Sequence, residues 1–257
     1  MDVSAEEAKG LNAAVPTFDG PLELPRPFAL PDGSGTALSS KTAHGCLTAA
    51  IYYEAAGQPA AGQRGVAQVV LNRVRHPAYP KTICGVVYQG WQRTTGCQFT
   101  FTCDGSLARR PAVRNWGIAA KIADAMLAGA VEPSVGVATH YHADYVVPYW
   151  ASSLQKLAIL GNHIFYKHRG YWGQRAAYRG VYLGGEMEPR AGTVPRLDVM
   201  AEGLADDQVG APVAASKMIP DGVRRLELET GALSSDRVLP LQADRDRGEL
   251  ILDRQRR

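Results

Sequence analysis

The sequence predicts an α+β fold, mainly helical with a small β portion, flanked by irregular segments. Three observations predict it. Apolar residues recur at helical spacing over 46–57, 62–75 and 115–130. From Val137 the pattern changes to VATHYHADYV, VPYWASSL and LAILGNHIFYKH, rich in β-branched and aromatic residues, as short strands or extended loops require. Outside these stretches the periodicity fails, through prolines before residue 39 and through mixed Gly, acid and Arg after Gly180.

Taken in order, residues 1–38 read as a Pro-rich extended linker, densest at LPRPFALPDGSG. Ser39 or Ser40 offers an N-cap for the first domain helix, which Gly57 and Pro59 end. The second helix sets Val66, Val69, Val70 and Val74 on one side, with Gln63, Gln68, Asn72 and Arg75 on the other. Thr82 caps a short helix reaching Tyr88, and GWQRTTGCQFTFTCDGS then has the glycines and alternation of a loop or short hairpin. The third amphipathic helix carries Trp116, Ala119, Ala123, Met126 and Leu127, and Gly129 with Pro133 closes it. The domain spans residues 39–172, and 173–257 form a disordered or loosely structured tail, with short pairing segments such as VRRLELE.

With 257 residues, 46% of them hydrophobic and 21% charged, the chain can build a core without metal or disulfide. It has no apolar run long enough for a membrane-spanning helix, and its start lacks the basic and apolar regions of a signal peptide. The expectation is either an intracellular chain or one numbered without an upstream leader. Cys46, Cys84, Cys97 and Cys103 bear on that choice, since all four lie inside the domain and match neither a zinc ribbon nor a CxxC redox motif. Cys97 and Cys103 bracket QFTFT, which favours a bridge between them and leaves Cys46 with Cys84. Two disulfides imply an oxidising compartment; four buried free thiols are the alternative.

Charge is uneven. Residues 41–180 hold fifteen Lys and Arg against five acids, whereas the rest holds thirteen against twenty. A basic domain with acidic flanks favours a polyanionic partner: nucleic acid, an anionic membrane surface or a carboxylate-rich wall polymer. The five acids are Glu54, Asp104, Asp124, Glu132 and Asp144. Glu54 shares a helical stripe with Leu47, Ala50 and Ile51, and no Lys or Arg lies between Lys41 and Arg64. A carboxyl so placed has its charged form disfavoured and its pKa raised, the condition for a general acid near neutral pH. A helix-face glutamate bonded to a loop amide or an arginine is the plainer alternative.

Five blocks in order, CLTAAIYYEAAGQPAAGQRGVAQVVLNRV, YPKTICGVVYQ, CQFTFTCDG, THYHADYVVPYW and GNHIFYKH, closely resemble the SleB-type cell wall hydrolases, the family of the spore cortex-lytic enzymes. The resemblance covers about residues 41–170, and the family's N-terminal peptidoglycan-binding repeats have no counterpart. It implies a compact lysozyme and lytic-transglycosylase-like domain acting on the glycan strands of peptidoglycan, with Glu54 as the essential glutamate. It further implies Gln98 and Thr100 near the scissile bond, with Tyr141 and His142 supplied by THYHA. Tyr149, Trp150 and Asn162 would line the glycan groove. Tyr141 and Trp150 read equally well as core, and Gln98 and Thr100 as loop-closing hydrogen bonders.

One carboxylate suffices for lytic transglycosylation, because the muramic acid C6 hydroxyl is the nucleophile and the product is a 1,6-anhydro end. Hydrolysis calls for a second carboxylate. The expected partner is the glycan strand, with a regulatory protein as a further partner, no nucleic acid, no cofactor and a monomeric state. The expected place is the periplasm or cell envelope. A metal hydrolase, prompted by His140, His142, His163 and His168, lacks an HExxH or an acidic cluster. A nucleic-acid module lacks a recognisable motif. A non-catalytic or partner-activated wall-binding protein is the third rival, and charge alone suggests the tail as an inhibitor folded over the basic groove.

Overall fold

The computed structural model describes residues 3–30, 37–93 and 96–187, together with the backbone of 242–243 and 250–251. Its helices are α1 (Ala5–Ala14), α2 (Ala37–Ala55), α3 (Ala60–Arg75), α4 (Ile83–Val87) and α5 (Val113–Leu127). The strands are β1 (His140–Ala143), β2 (Gln155–Leu160) and β3 (His163–Lys167), joined antiparallel in the order β1-β3-β2. A separate short pair joins β4 (Gln242–Ala243) to β5 (Leu250–Ile251). The fold is thus mainly helical with a small sheet, as the periodicity predicts.

Helix α2 is the axis of the core. From Ala43 to Tyr52 nearly every side chain is buried, so the helix is apolar all round and not merely on one stripe. Alanines at 43, 49 and 50 let α3, α4 and α5 approach closely, and Val70, Leu71, Ile83, Trp116 and Met126 fill the space around it. The helix starts at Ala37, so Ser39 and Ser40 lie inside its first turn and are not its caps. It stops where expected, with Gln58 N–H donating to the Ala55 carbonyl at 2.8 Å ahead of Pro59.

Helix α3 departs from the amphipathic expectation. Gln63, Gln68, Asn72 and Arg73 are buried along with its valines. The reason is a polar ladder. Gln68 Nε2 donates to Asn72 Oδ1 at 3.0 Å, and Asn72 Nδ2 donates to the Gly136 and Ala138 carbonyls at 3.0 and 2.8 Å. These bonds fix the chain that leads into β1 and satisfy groups whose burial would otherwise cost free energy. Helix α4 keeps its expected cap, Thr82 Oγ1 accepting from Gly85 N–H at 3.1 Å. The QFTFT run forms a 3-10 turn over Thr100–Thr102 in place of a hairpin.

Both flanks are more ordered than their composition suggests. Helix α1 opens with a capping box between Ser4 and Glu7, and Ala8 is buried. Asn12 Nδ2 donates to the Asp144 and Val146 carbonyls at 2.7 and 2.8 Å, while Phe18 N–H donates to the Lys156 carbonyl at 2.8 Å. Phe28 is buried in the main core, and Ala29 pairs with Ala128. The stretch 3–30 is therefore a docked segment and not a free linker. After the sheet, Ala177 and Tyr178 are buried against Val137. Glu186 then accepts from Ile83 and Cys84 N–H at 2.6 and 2.8 Å, which ties the chain back to the domain as far as residue 186. The segment VRRLELE and the inhibitory contact suggested for the tail lie outside the described residues.

Two disulfides tie these parts, Cys46–Cys84 joining α2 to α4 and Cys97–Cys103 closing the loop around the 3-10 turn, with Cα–Cα separations of 5.3 and 6.5 Å. Both pairings agree with the spacing argument.

Candidate active site

Glu54 occupies the last turn of α2, where the helix leaves the core, and retains partial exposure. The elements around it are brought there by sequence-distant contacts. Between β2 and β3, Gly161 turns at φ +63°, and a Cβ there would lie 2.3 Å from Gln58 Oε1, so glycine is required. Gln58 Oε1 accepts from Asn162 N–H at 2.9 Å, which pins the turn beside the end of α2. Strand alternation then sends Tyr141 to the α2 side of β1 and His142 to the other side. Tyr141 donates its hydroxyl to Glu54 Oε2 at 2.9 Å.

Burial is the main force on the Glu54 carboxyl. It pushes the pKa up to about 7; the Tyr141 hydrogen bond opposes this, the Asp104 charge adds to it, and the Arg73 charge opposes it again. Burial likewise drives the Tyr141 hydroxyl well above its ordinary value, so it stays a donor. A carboxyl balanced near neutrality can give a proton and take one back, as acid–base catalysis demands.

The other expected site residues divide. Gln98, with its amide oxygen facing inward, accepts from Arg73 Nη1 at 2.9 Å and Nη2 at 3.3 Å, so it is a loop anchor. Thr100 opens the 3-10 turn, its carbonyl accepting from Cys103 and Asp104 N–H at 3.0 and 3.1 Å. Tyr149 is 74% exposed, a ring free to stack on a sugar. Trp150 packs against His140, His142 and Tyr166 with centroids 5.3, 5.5 and 5.8 Å away. Asn162 is exposed at the turn.

His142 is not brought to Glu54. It is 6% exposed and stacks on Tyr166. Its Nε2 lies 2.9 Å from the Tyr166 hydroxyl and its Nδ1 2.8 Å from the Ala143 carbonyl. With both nitrogens engaged on the far face of the strand, it has no free atom for substrate. Among the described residues no group of three His, Cys, Asp or Glu converges as metal ligands. His76, His140 and His168 instead pack ring to ring with centroids 5.1 Å apart in succession.

Three groups were not singled out from the sequence. Tyr53, next to Glu54, stacks on Phe101 at 4.8 Å and 16°, forming one wall beside the carboxyl. Asp104 donates nothing but charge to Glu54; its Oδ1 accepts from Ser106 N–H at 2.7 Å, and its Oδ2 is buried without a hydrogen-bond partner. Arg73 supplies the cation that local sequence lacks. Its place in the NRV run of the second helix is a signal, since a charged residue flanked by core positions must find burial partners.

Residues 57–166 match the family model of the cell wall hydrolases, a span that begins just after Glu54. The chain is 29% identical over 119 residues to the spore cortex-lytic enzyme of Halalkalibacterium halodurans, covering 46% of this chain and 33% of that protein. The spore cortex-lytic enzyme of Bacillus subtilis is also 29% identical over 119 residues, covering 46% of this chain and 35% of that one. The chain thus spans about a third of the length of these curated relatives. Among solved structures, the catalytic domain of the Bacillus cereus SleB protein is 26% identical with a TM-score of 0.42, covering 58% of this chain and 100% of that one. The catalytic domain of the germination-specific lytic transglycosylase SleB from Bacillus anthracis is 27% identical with a TM-score of 0.43, covering 54% and 100%. The family match and the relatives that share it thus support a SleB-type cell wall hydrolase region over residues 57–166.

Proposed function

We propose that the protein degrades peptidoglycan by lytic transglycosylation, cleaving the glycan between N-acetylmuramic acid and N-acetylglucosamine with Glu54 as both acid and base. The observation that carries this reading is the half-buried Glu54 carboxyl, raised to about 7 and held by the Tyr141 hydroxyl. Among the described residues, no second carboxylate shares a hydrogen bond with it. Protonated Glu54 gives its proton to the glycosidic oxygen as the C1–O bond breaks, leaving an oxocarbenium-like muramoyl centre and a carboxylate. That carboxylate takes the proton of the C6 hydroxyl as its oxygen closes onto C1, which regenerates the acid and gives the 1,6-anhydro end. The exposed Tyr149 ring and the partly exposed Tyr53 ring, backed by the buried Phe101, are the surfaces on which sugar rings stack.

Asp104 favours hydrolysis as a second reading, because a carboxylate whose charge reaches Glu54 is a candidate to activate water. Two disulfides agree with action outside the cytoplasm, in the cell envelope. The test is digestion of purified sacculi by the wild type and Glu54→Gln, with mass spectrometry of the released muropeptides. Anhydro-muropeptides from the wild type alone are expected. Reducing ends alone would establish hydrolysis, and release of nothing by the wild type would leave a binding role.

A further inference from the structure

Arg73 is a buried cation without an ion pair. It is 3% exposed, and among the described residues its guanidinium makes no salt bridge. Taking such a charge out of water is costly unless polar groups surround it. Those groups are neutral. Nε donates to the Thr139 carbonyl at 2.7 Å, Nη1 and Nη2 donate to Gln98, and the rings of Tyr79 and Phe99 lie 5.3 and 5.5 Å from the guanidinium carbon. They solvate the cation and leave its charge intact.

The residues that hold Arg73 also frame Glu54. Thr139 stands two residues before Tyr141, whose hydroxyl bonds Glu54. Gln98 belongs to the loop closed by Cys97–Cys103, which also carries Phe101 against Tyr53. The titratable groups that face Arg73 are Glu54 from α2, Tyr141 and His140 from β1, Tyr79 from the turn after α3, and His168 beyond β3. Of these, only Glu54 is a carboxyl. Those that act on Glu54 are Tyr141, Asp104 and Arg73.

We propose that Arg73 is a positioning residue for the reaction, a counter-charge that stabilises the Glu54 carboxylate left after proton donation and fixes the loop and strand that bear on it. The proposal rests on Glu54 being the acid and base. A guanidinium in direct contact would hold the carboxylate too tightly for it to serve as a base. Bonded to Thr139 and Gln98 and not to Glu54, it eases proton release while leaving the carboxylate free to recapture one.

Gln98→Glu tests this without emptying the core, because it places a carboxylate on Arg73 and cancels the charge in position. Gln98→Leu removes the hydrogen bonds and keeps the charge. The readouts are the pH profile of anhydro-muropeptide release from sacculi, the carbon NMR titration of the Glu54 carboxyl, and the thermal melt. For Gln98→Glu the Glu54 titration and the alkaline limb of activity are expected to move up together by about one pH unit, with about a tenfold slower rate on the plateau. Gln98→Leu and Arg73→Lys are expected to leave the titration near the wild-type position. A wild type that digests sacculi, with an unmoved titration in folded Gln98→Glu or an equal shift in Gln98→Leu, overturns the proposal alone. Sacculi left intact by the wild type overturn the functional reading and the proposal with it.

Discussion

Tyr141→Phe removes one oxygen from the structure, and its consequence is calculable. The Tyr141 hydroxyl lies 2.9 Å from Glu54 Oε2 and holds the carboxyl pKa below the level that burial alone would set. A hydrogen bond to a charged acceptor contributes about 1.5–3 kcal/mol, and one pKa unit corresponds to about 1.4 kcal/mol. Allowing for water that enters beside the partly exposed carboxyl, the variant raises the Glu54 pKa by about one unit. The sign follows from which form is bonded: the anion loses its donor, so the acid form persists to higher pH. The alkaline limb of sacculus digestion then moves up by about one unit, and the plateau rate falls by about tenfold because Glu54 has become a weaker acid. Below neutral pH the carboxyl is already protonated, so the melt should drop by only about 1 kcal/mol in stability. An alkaline limb that stays put or moves down would refute the claim that this bond sets the acidity of Glu54.

Acid should unfold the protein through its histidines. His76 is pushed down to about 3, and His142, His163 and His168 to about 4, chiefly by burial. The unfolded chain binds these protons near pH 6.5, as it does that of His140, which burial also holds well below its ordinary value, and the folded one does not, so stability falls from pH 6.5 toward 4; Glu54 and Glu186, both raised above their unfolded values, oppose this with two groups against five. A melt followed over that range should show a falling midpoint, and a flat profile would contradict the burial of the imidazoles. Glu186→Ala leaves the Ile83 and Cys84 N–H groups without their acceptor and should cost about 2 kcal/mol by chemical denaturation, as should truncation after Gly180. The Cys46–Cys84 bridge closes a loop with a sequence separation of 38, so replacing both cysteines by alanine should cost about 3–4 kcal/mol, measured the same way.

Much of this arrangement was legible because local rules agreed with the fold. Thr82, Pro59 and the cysteine spacing each work through residues a few positions away, and the helical period of 115–130 returns as α5 with Trp116, Ala119, Ala123 and Met126 inside. Glu54 was legible because it interrupts an apolar helix. The misreadings came from contacts that no window contains. The stretch 62–75 shows a polar side, yet Gln68 and Asn72 face inward because the chain at 132–138 returns across them. The absence of a cation near Glu54 in sequence hid Arg73, which arrives from the next helix. His142 was expected at the site with Tyr141, but a strand that turns Tyr141 toward α2 must turn His142 away.

Lys156 on β2 is 3% exposed, and its ammonium donates to the Asn12 and Val15 carbonyls at 2.8 and 2.9 Å, at the end of α1. Those carbonyls are the negative pole of a helix, and they solvate the buried ammonium. The match to the family model begins at residue 57, yet a fragment cut there would leave this lysine with a desolvated charge and uncover the slot filled by Phe28. The matched stretch is therefore shorter than the stretch that can stand by itself, and the early residues act as a built-in scaffold for the sheet that holds Tyr141 in place.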